Sequence, residues 1–194
     1  MLRKEQKMGN QISISEMAVV ALMTAVLCVL APFSIPLGPV PISLATLGLY
    51  LALIILGGKN AVIVCLMYLL IGFVGLPVFS GFSGGPAKLL GPTGGYIFGY
   101  LLLTVVAGYF VDKFPGKRGM CVLGLVLGTA ACYVVGTVWL AAQMELDFCT
   151  ALMVGVVPFL VGDVVKIIIA VWLGYLIQRR IRKAEYNFKG HDSK

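Results

Sequence analysis

Charged side chains are almost missing from the middle of this chain. The sequence has 194 residues, with 15 Lys and Arg and eight Asp and Glu, yet only ten of these charges lie in the 162 residues from Met17 to Gln178. A water-soluble domain of this size cannot cover its surface with so few charged groups. Disorder is also excluded, because a disordered chain combines low hydrophobicity with high charge. The pattern predicts a membrane protein.

Six apolar stretches approach the roughly 20 residues that a helix needs to cross the hydrocarbon layer. They predict an all-α integral membrane protein with a single membrane domain over residues 1–194. The second and third stretches are short, so these helices would tilt little or extend into neighbouring polar segments. The six transmembrane helices are expected at about residues 17–33, 42–56, 61–74, 96–111, 120–142 and 158–177.

The positions of Lys and Arg predict the orientation. With the N-terminus inside, 13 of the 15 lie in inner segments, Lys88 lies in an outer loop and Lys166 lies within a span. By the positive-inside rule both termini face the cytoplasm, and the basic charge indicates membrane topology with no nucleic-acid partner. The inner residues are Arg3, Lys4, Lys7, Lys59, Lys113, Lys117, Arg118, Arg179, Arg180, Arg182, Lys183, Lys189 and Lys194.

Motifs for nucleotide binding and for zinc-dependent hydrolysis are missing from the sequence. There is no GxxxxGK[ST], GxGxxG or HExxH, so the chain is not expected to be an enzyme or to hydrolyse ATP by itself. The one histidine, His191, lies in the polar tail, and the five cysteines have no CxxC spacing. We therefore predict no catalytic residues, no metal site and no cofactor.

Asp163 and Lys166 are the two charges placed well inside a span. At i and i+3 they share one helix face and can pair, which lowers the cost of holding both in the membrane. If the sixth span begins near Pro158, a rise of about 1.5 Å per residue places both in its outer half. A structural ion pair between helices remains open. We favour a polar anchor for a solute that enters from outside, because intramembrane charges are usually functional.

The outer connection over residues 75–95 is long, rich in Gly and Pro, and carries one charge, Lys88. Its apolar residues favour a segment folded into the protein, because irregular backbone is tolerated where it lines a cavity. Thr93, Gly94, Gly95 and Tyr96 would then present donors and an aromatic ring to a ligand. A purely structural turn is the alternative.

A second outer loop, over residues 32–41, is proline-rich and uncharged. It is either a lid over the same outer face or a rigid connector between the first two spans.

Small residues recur at helical spacing in three spans. Gly95 with Gly99, and Gly124 with Gly128, are expected to pack helices together within the chain. In the first span, Ala18, Ala21 and Ala25 form a small-residue stripe. This stripe is equally consistent with internal contacts and with an external partner, since the chain lacks an energy source of its own.

Three segments resemble the BioY family, the biotin-specific substrate-binding (S) components of energy-coupling-factor (ECF) transporters. They are GPVPISLATL at 38–47, LGPTGGY at 90–96 and GDVVK at 162–166. The resemblance covers about residues 15–180. It implies a six-helix protein of the bacterial plasma membrane that binds biotin from outside. It also implies docking, through Ala18, Ala21 and Ala25, onto a transmembrane coupling (T) subunit driven by two cytoplasmic ATPase subunits.

For biotin, the polar contacts follow from the ureido ring and the carboxylate tail. Asp163 would accept hydrogen bonds from the ureido N–H groups. Lys166 or Lys88 would meet a ligand acceptor or the carboxylate.

The remaining predicted contacts surround the apolar part of the ligand. Tyr96 and Phe79 would pack on the sulfur-containing ring, as in the aromatic walls of other small-molecule pockets. Thr93, with Gly94 and Gly95, would supply hydrogen-bond donors.

Three other function classes are less consistent with the sequence. A self-sufficient secondary transporter of a small anion would usually show internal repeats, and none is evident between residues 15–95 and 96–178. An intramembrane enzyme lacks the residues it would need, and a purely structural subunit would have no reason for an outer pocket.

Overall fold

A computed structural model describes the backbone of residues 14–191 and the side chains of residues 14–180. These residues are mostly helical, which confirms the predicted all-α class. The basic residues Arg3, Lys4, Lys7 and Lys194 lie outside the described residues, as do the side chains of Arg182, Lys183 and Lys189.

Eight helices and one short strand pair make up the described part of the chain. The two strands, β1 (Ser34–Ile35) and β2 (Ile42–Ser43), pair antiparallel in the loop after the first helix. The helices are α1 (Ile14–Leu30), α2 (Ala45–Leu56), α3 (Gly58–Phe73), α4 (Pro86–Leu90), α5 (Gly94–Lys113), α6 (Arg118–Met144), α7 (Phe148–Gly155) and α8 (Val157–His191).

Three segments are long and apolar enough to cross a membrane: Gly94–Lys113, Arg118–Met144 and Phe148–Arg180. The apolar helices α1, α2 and α3 are shorter, at 17, 12 and 16 residues. The 12 residues of α2 rise about 18 Å, against about 30 Å of hydrocarbon. The count of six spans and the cytoplasmic position of both termini stay predictions.

The chain between the last two predicted spans contains an additional helix, α7. Asp147 caps it, accepting hydrogen bonds from the Thr150 backbone N–H at 3.0 Å and the Thr150 hydroxyl at 2.6 Å. Both bonds favour the ionised carboxylate, so the pKa of Asp147 is lowered. An Asp directly before an apolar run is a sequence signal for the start of a helix, and Asp147 precedes Phe148 in this way.

Glycines let α5 and α6 form the most extensive helix pair of the described fold. Gly95 and Gly99 of α5 face Trp139 and Cys132. On α6, Gly124 and Gly128 face Phe110 and Leu103. The two small-residue patterns therefore serve contacts within the chain, as predicted.

A second close approach joins α3 to α5 at Gly58 and Gly108. A Cβ atom added to Gly58 would lie 2.5 Å from the Gly108 Cα. The Asp112 carboxylate of α5 accepts from the Gly58 backbone N–H at 2.8 Å and so caps α3. Asp112, in the last turn of α5, therefore links the two helices through this capping contact.

We expect Gly58→Ala to destabilise the protein by about 1–3 kcal/mol, because the methyl group has no space at the α3–α5 crossing. Gly119→Ala is the control, since an added Cβ there meets nothing within 4 Å and Gly119 lies inside a helix. The measurement is the thermal unfolding midpoint in detergent. Equal midpoints for both variants would contradict this account of the crossing.

Candidate ligand site

The ion pair that the i, i+3 spacing predicts is present on α8. The Lys166 ammonium lies 2.9 Å from Asp163 Oδ1. Asp163 is only 6% exposed and Lys166 only 8%. This is the one ion pair within 4.0 Å among residues whose side chains are described.

Thr46 and Tyr133 also form hydrogen bonds with this pair. The Thr46 hydroxyl accepts from Lys166 at 3.1 Å and donates to Asp163 Oδ1 at 3.3 Å. The Tyr133 hydroxyl donates to Asp163 Oδ2. Because Thr46 lies on α2 and Tyr133 on α6, the carboxylate joins three helices. No buried side-chain polar atom is unpaired in the described part of the chain, the usual condition for burying polar groups.

A small cavity adjoins the pair, with a free volume of about 40 Å³. This is far below the roughly 300 Å³ at the lower end of ligand pockets. The cavity is therefore too small to hold a ligand of ordinary size in this conformation. Its walls are Val40, Pro41, Ser43, Thr46, Tyr96, Tyr100, Leu103, Thr129, Cys132, Tyr133, Gly155, Phe159, Asp163 and Lys166.

Tyr96 forms an aromatic wall of the cavity and is held by two glycines. Side chains at Gly136 and Gly155 would overlap its ring and its hydroxyl. The Tyr96 hydroxyl donates to the Gly155 carbonyl at 3.0 Å. Its position is therefore fixed by α6 and α7 together.

The proline-rich loop between α1 and α2 closes part of the cavity. Val40, which is 6% exposed, and Pro41 both line it. The loop also contacts the glycine-rich segment, since the Gly81 N–H donates to the Pro32 carbonyl at 3.0 Å and Phe33 packs edge-on against Phe82. This arrangement favours the lid over the simple connector.

Phe79 does not line the cavity. Its ring is fully buried against Tyr68, with centroids 5.4 Å apart, and occupies the space beside Gly72. An apolar ring in a glycine-rich loop fits equally well in a ligand wall or in the core, and here it is part of the core.

Thr93, Gly94, Gly95 and Lys88 also lie outside the cavity lining. A Cβ at Gly94 would meet the Leu89 carbonyl, and one at Gly95 would meet Trp139. Both glycines therefore allow close contact between protein segments. Lys88 is half-buried, and removal from water lowers its pKa.

The polar residues Thr46, Tyr133 and Tyr100 were not among the predicted site residues. Each is a polar group inside an apolar helix, which is a signal in its own right. Thr46 also lies within the 38–47 segment that carries the family resemblance.

The alanine stripe of α1 faces away from the fold. Ala18, Ala21 and Ala25 are exposed, together with Leu22 at 63% and Val29 at 64%. The opposite face of α1 packs into the core through Met23 and Leu27. The stripe therefore makes no extensive contact within the described chain.

Apolar helices that enclose a buried charged pair and a small cavity define a solute-binding membrane protein. The sequence pattern of the BioY family matches residues 4–183, and the chain belongs to that family.

Relatives of known description support this assignment. The chain is 39% identical to the probable biotin transporter BioY of Pyrococcus horikoshii, over 84% of this chain and 96% of that protein. It is 38% identical to the biotin transporter BioY of Thermotoga maritima, over 84% and 94%. A solved S-component for biotin from an ECF-type ABC transporter matches with a TM-score of 0.78 and 33% identity, covering 91% of this chain and 95% of that one.

Removing Lys166 alone is expected to be the most destabilising change at the pair. Lys166→Met leaves the Asp163 carboxylate buried without its cation, which typically costs about 3–5 kcal/mol. The double variant Asp163→Asn with Lys166→Met has no buried charge at this position, so it should be more stable than Lys166→Met alone. The check is a double-mutant cycle on the thermal unfolding midpoint in detergent. Additive losses would show that the two side chains are not coupled.

Proposed function

We propose that this chain is the biotin-binding component of an ECF transporter and that biotin occupies the cavity beside Asp163 and Lys166. The observation that carries the proposal is the buried, hydrogen-bonded charged pair in a chain of the BioY family. The named relatives and the solved neighbour support biotin as the ligand.

The pair has unused hydrogen-bonding capacity that fits a ureido ring. A carboxylate offers about four acceptor positions, and Lys166, Thr46 and Tyr133 fill three of those on Asp163. The ammonium has three donors, and Asp163 and Thr46 take two of them. One acceptor position on Asp163 and one N–H of Lys166 are therefore left for a ligand, and a ureido ring offers an N–H and a carbonyl to them.

The remaining walls suit the apolar ring and chain of biotin. Tyr96, Tyr100, Leu103 and Phe159 supply aromatic and aliphatic surface around the polar pair. In this arrangement Lys166 serves the ureido group, and Lys88 is left as the candidate partner for the carboxylate tail near the outer surface. Thr93, Gly94, Gly95 and Phe79 then support the site by packing.

Uptake requires partners, because the sequence carries no nucleotide-binding motif. The exposed stripe of Ala18, Ala21 and Ala25 is the proposed docking surface for a T subunit that two cytoplasmic ATPases drive. Small side chains permit close backbone contact with a partner helix in lipid. The proposed location is the bacterial plasma membrane, with six spans and both termini on the cytoplasmic side.

Lys166→Met is expected to weaken biotin binding by about 10–100-fold, since a hydrogen bond to a charged group contributes about 1.5–3 kcal/mol. Asp163→Asn should weaken it similarly, because the amide replaces an ionic acceptor. The measurement is isothermal titration calorimetry on purified protein. Lys88→Met is the comparison, with a loss below about tenfold expected because Lys88 lies outside the cavity lining and its partly exposed charge is screened by water.

Wild-type affinity in both Asp163→Asn and Lys166→Met would remove the pair from the site. A larger loss in Lys88→Met than in Lys166→Met would place the main anchor in the glycine-rich segment. The circular dichroism spectrum of each variant separates lost binding from lost fold.

Ala21→Trp is expected to reduce ATP-driven biotin uptake more than tenfold while leaving biotin affinity unchanged, because the indole prevents close helix contact. Ala130→Trp is the matched control, since Ala130 is exposed on α6. Uptake is measured in proteoliposomes containing the coupling subunits. Uptake by this chain alone, driven by a proton or sodium gradient, would instead support a secondary transporter.

A further inference from the structure

Two adjacent cavities lie at the end of α2 and α8 away from the charged pair. The first, the basic cavity, has a volume of about 490 Å³ and includes Asp112, Gln178 and the loop from Phe114 to Gly116. The second, the apolar groove, has a volume of about 520 Å³ and runs between α6 and α8. Both are lined by Arg118, Tyr175 and Arg179, so the two cavities adjoin at these three side chains.

The basic cavity contains two guanidinium groups that have no acidic partner among the residues whose side chains are described. The Arg118 guanidinium lies 5.0 Å from the centre of the Tyr175 ring, a cation–π contact that fixes its position. No carboxylate with a described side chain lies within 4.0 Å of either arginine's charged group. Asp112 shares the cavity but is occupied in capping α3 at Gly58. The cavity therefore has a net charge of about +1.

The apolar groove has a different character from the basic cavity. Aliphatic side chains from both helices form its walls, and Trp172, which is 70% exposed, stands at its edge. Tryptophan is enriched where the lipid head groups meet the hydrocarbon. The apolar residues of the groove are Val122, Ile167, Ile168, Val171, Trp172 and Leu176.

We propose that the basic cavity and the apolar groove together bind one anionic phospholipid of the phosphatidylglycerol type. The phosphodiester is held by Arg118 and Arg179, whose planar groups match phosphate oxygens. The glycerol hydroxyls donate to Asp112, and one acyl chain lies in the groove. A single negative charge balances the net charge of the cavity, and a choline head group has no hydrogen to donate to the carboxylate.

The lipid fits the position of the site as well as its chemistry. The cavity lies at the end of the helices where Lys113, Lys117 and Arg180 also gather, the end that the positive-inside rule assigns to the cytoplasm. Basic pockets between helices on that side bind anionic head groups. The inference does not depend on biotin, because the two sites share no lining residue.

Native mass spectrometry of the full chain in detergent tests the proposal, with phosphatidylglycerol or phosphatidylcholine added at equal concentration. We expect retained phosphatidylglycerol to exceed phosphatidylcholine by about tenfold or more, because the choline cation is repelled by the basic cavity and cannot donate a hydrogen bond to Asp112. Arg118→Gln with Arg179→Gln should abolish the preference. Lys59→Gln with Lys113→Gln removes the same charge outside both cavities and should keep it.

Competition and a steric variant identify the bound species. Glycerophosphoglycerol, the head group without acyl chains, should fail to displace the lipid at tenfold excess, and Val171→Trp should reduce retention by filling the groove. Displacement by glycerophosphoglycerol would instead show a site for free anions. Equal loss of phosphatidylglycerol in the double arginine variant and the double lysine variant would show general attraction to a basic surface. Full retention of the lipid in the double arginine variant would show that it binds elsewhere. Each of these three results would overturn the proposal.

Discussion

The charged pair of α8 determines how the surrounding helices must be arranged. Transfer of a carboxylate and an ammonium out of water costs several kcal/mol for each ion, and their mutual attraction offsets this only when further hydrogen bonds are made. Thr46 and Tyr133 provide those bonds to Asp163. Because the two residues lie on α2 and α6, convergence of three helices is a condition for keeping the charges inside.

Such convergence requires helices that approach closely, and glycine permits it. The α5–α6 pair is in contact through four glycines, and Gly136 with Gly155 leaves the space that the Tyr96 ring fills. Close-packed helices of this kind cannot shift by small amounts without side-chain clashes. The polar and aromatic walls of the cavity are therefore set by the same contacts that hold the bundle together.

The sequence alone predicts the class of protein and the Asp163–Lys166 ion pair. It does not predict the side chains that hydrogen-bond this pair. Scarcity of charge requires a membrane, and a spacing of three places Asp163 and Lys166 on one face. The contact of Asp163 with Thr46, 117 residues away, depends on helix packing that no local pattern encodes. For Phe79, hydrophobicity predicts that the ring is buried without showing what it packs against, and in the structure it packs against Tyr68 and beside Gly72.

The small volume of the cavity, about 40 Å³, implies that part of its wall moves when a ligand enters. Helices α5 and α6 are poor candidates, because their glycine contacts leave no space for sliding. The loop carrying Val40 is attached more weakly, by a strand pair of two residues on each side and by its contact with the glycine-rich segment at Gly81. Few backbone hydrogen bonds must break for it to open. A rigid bundle that holds the polar groups and a loosely held loop that covers them together allow the site to admit a solute without losing its geometry.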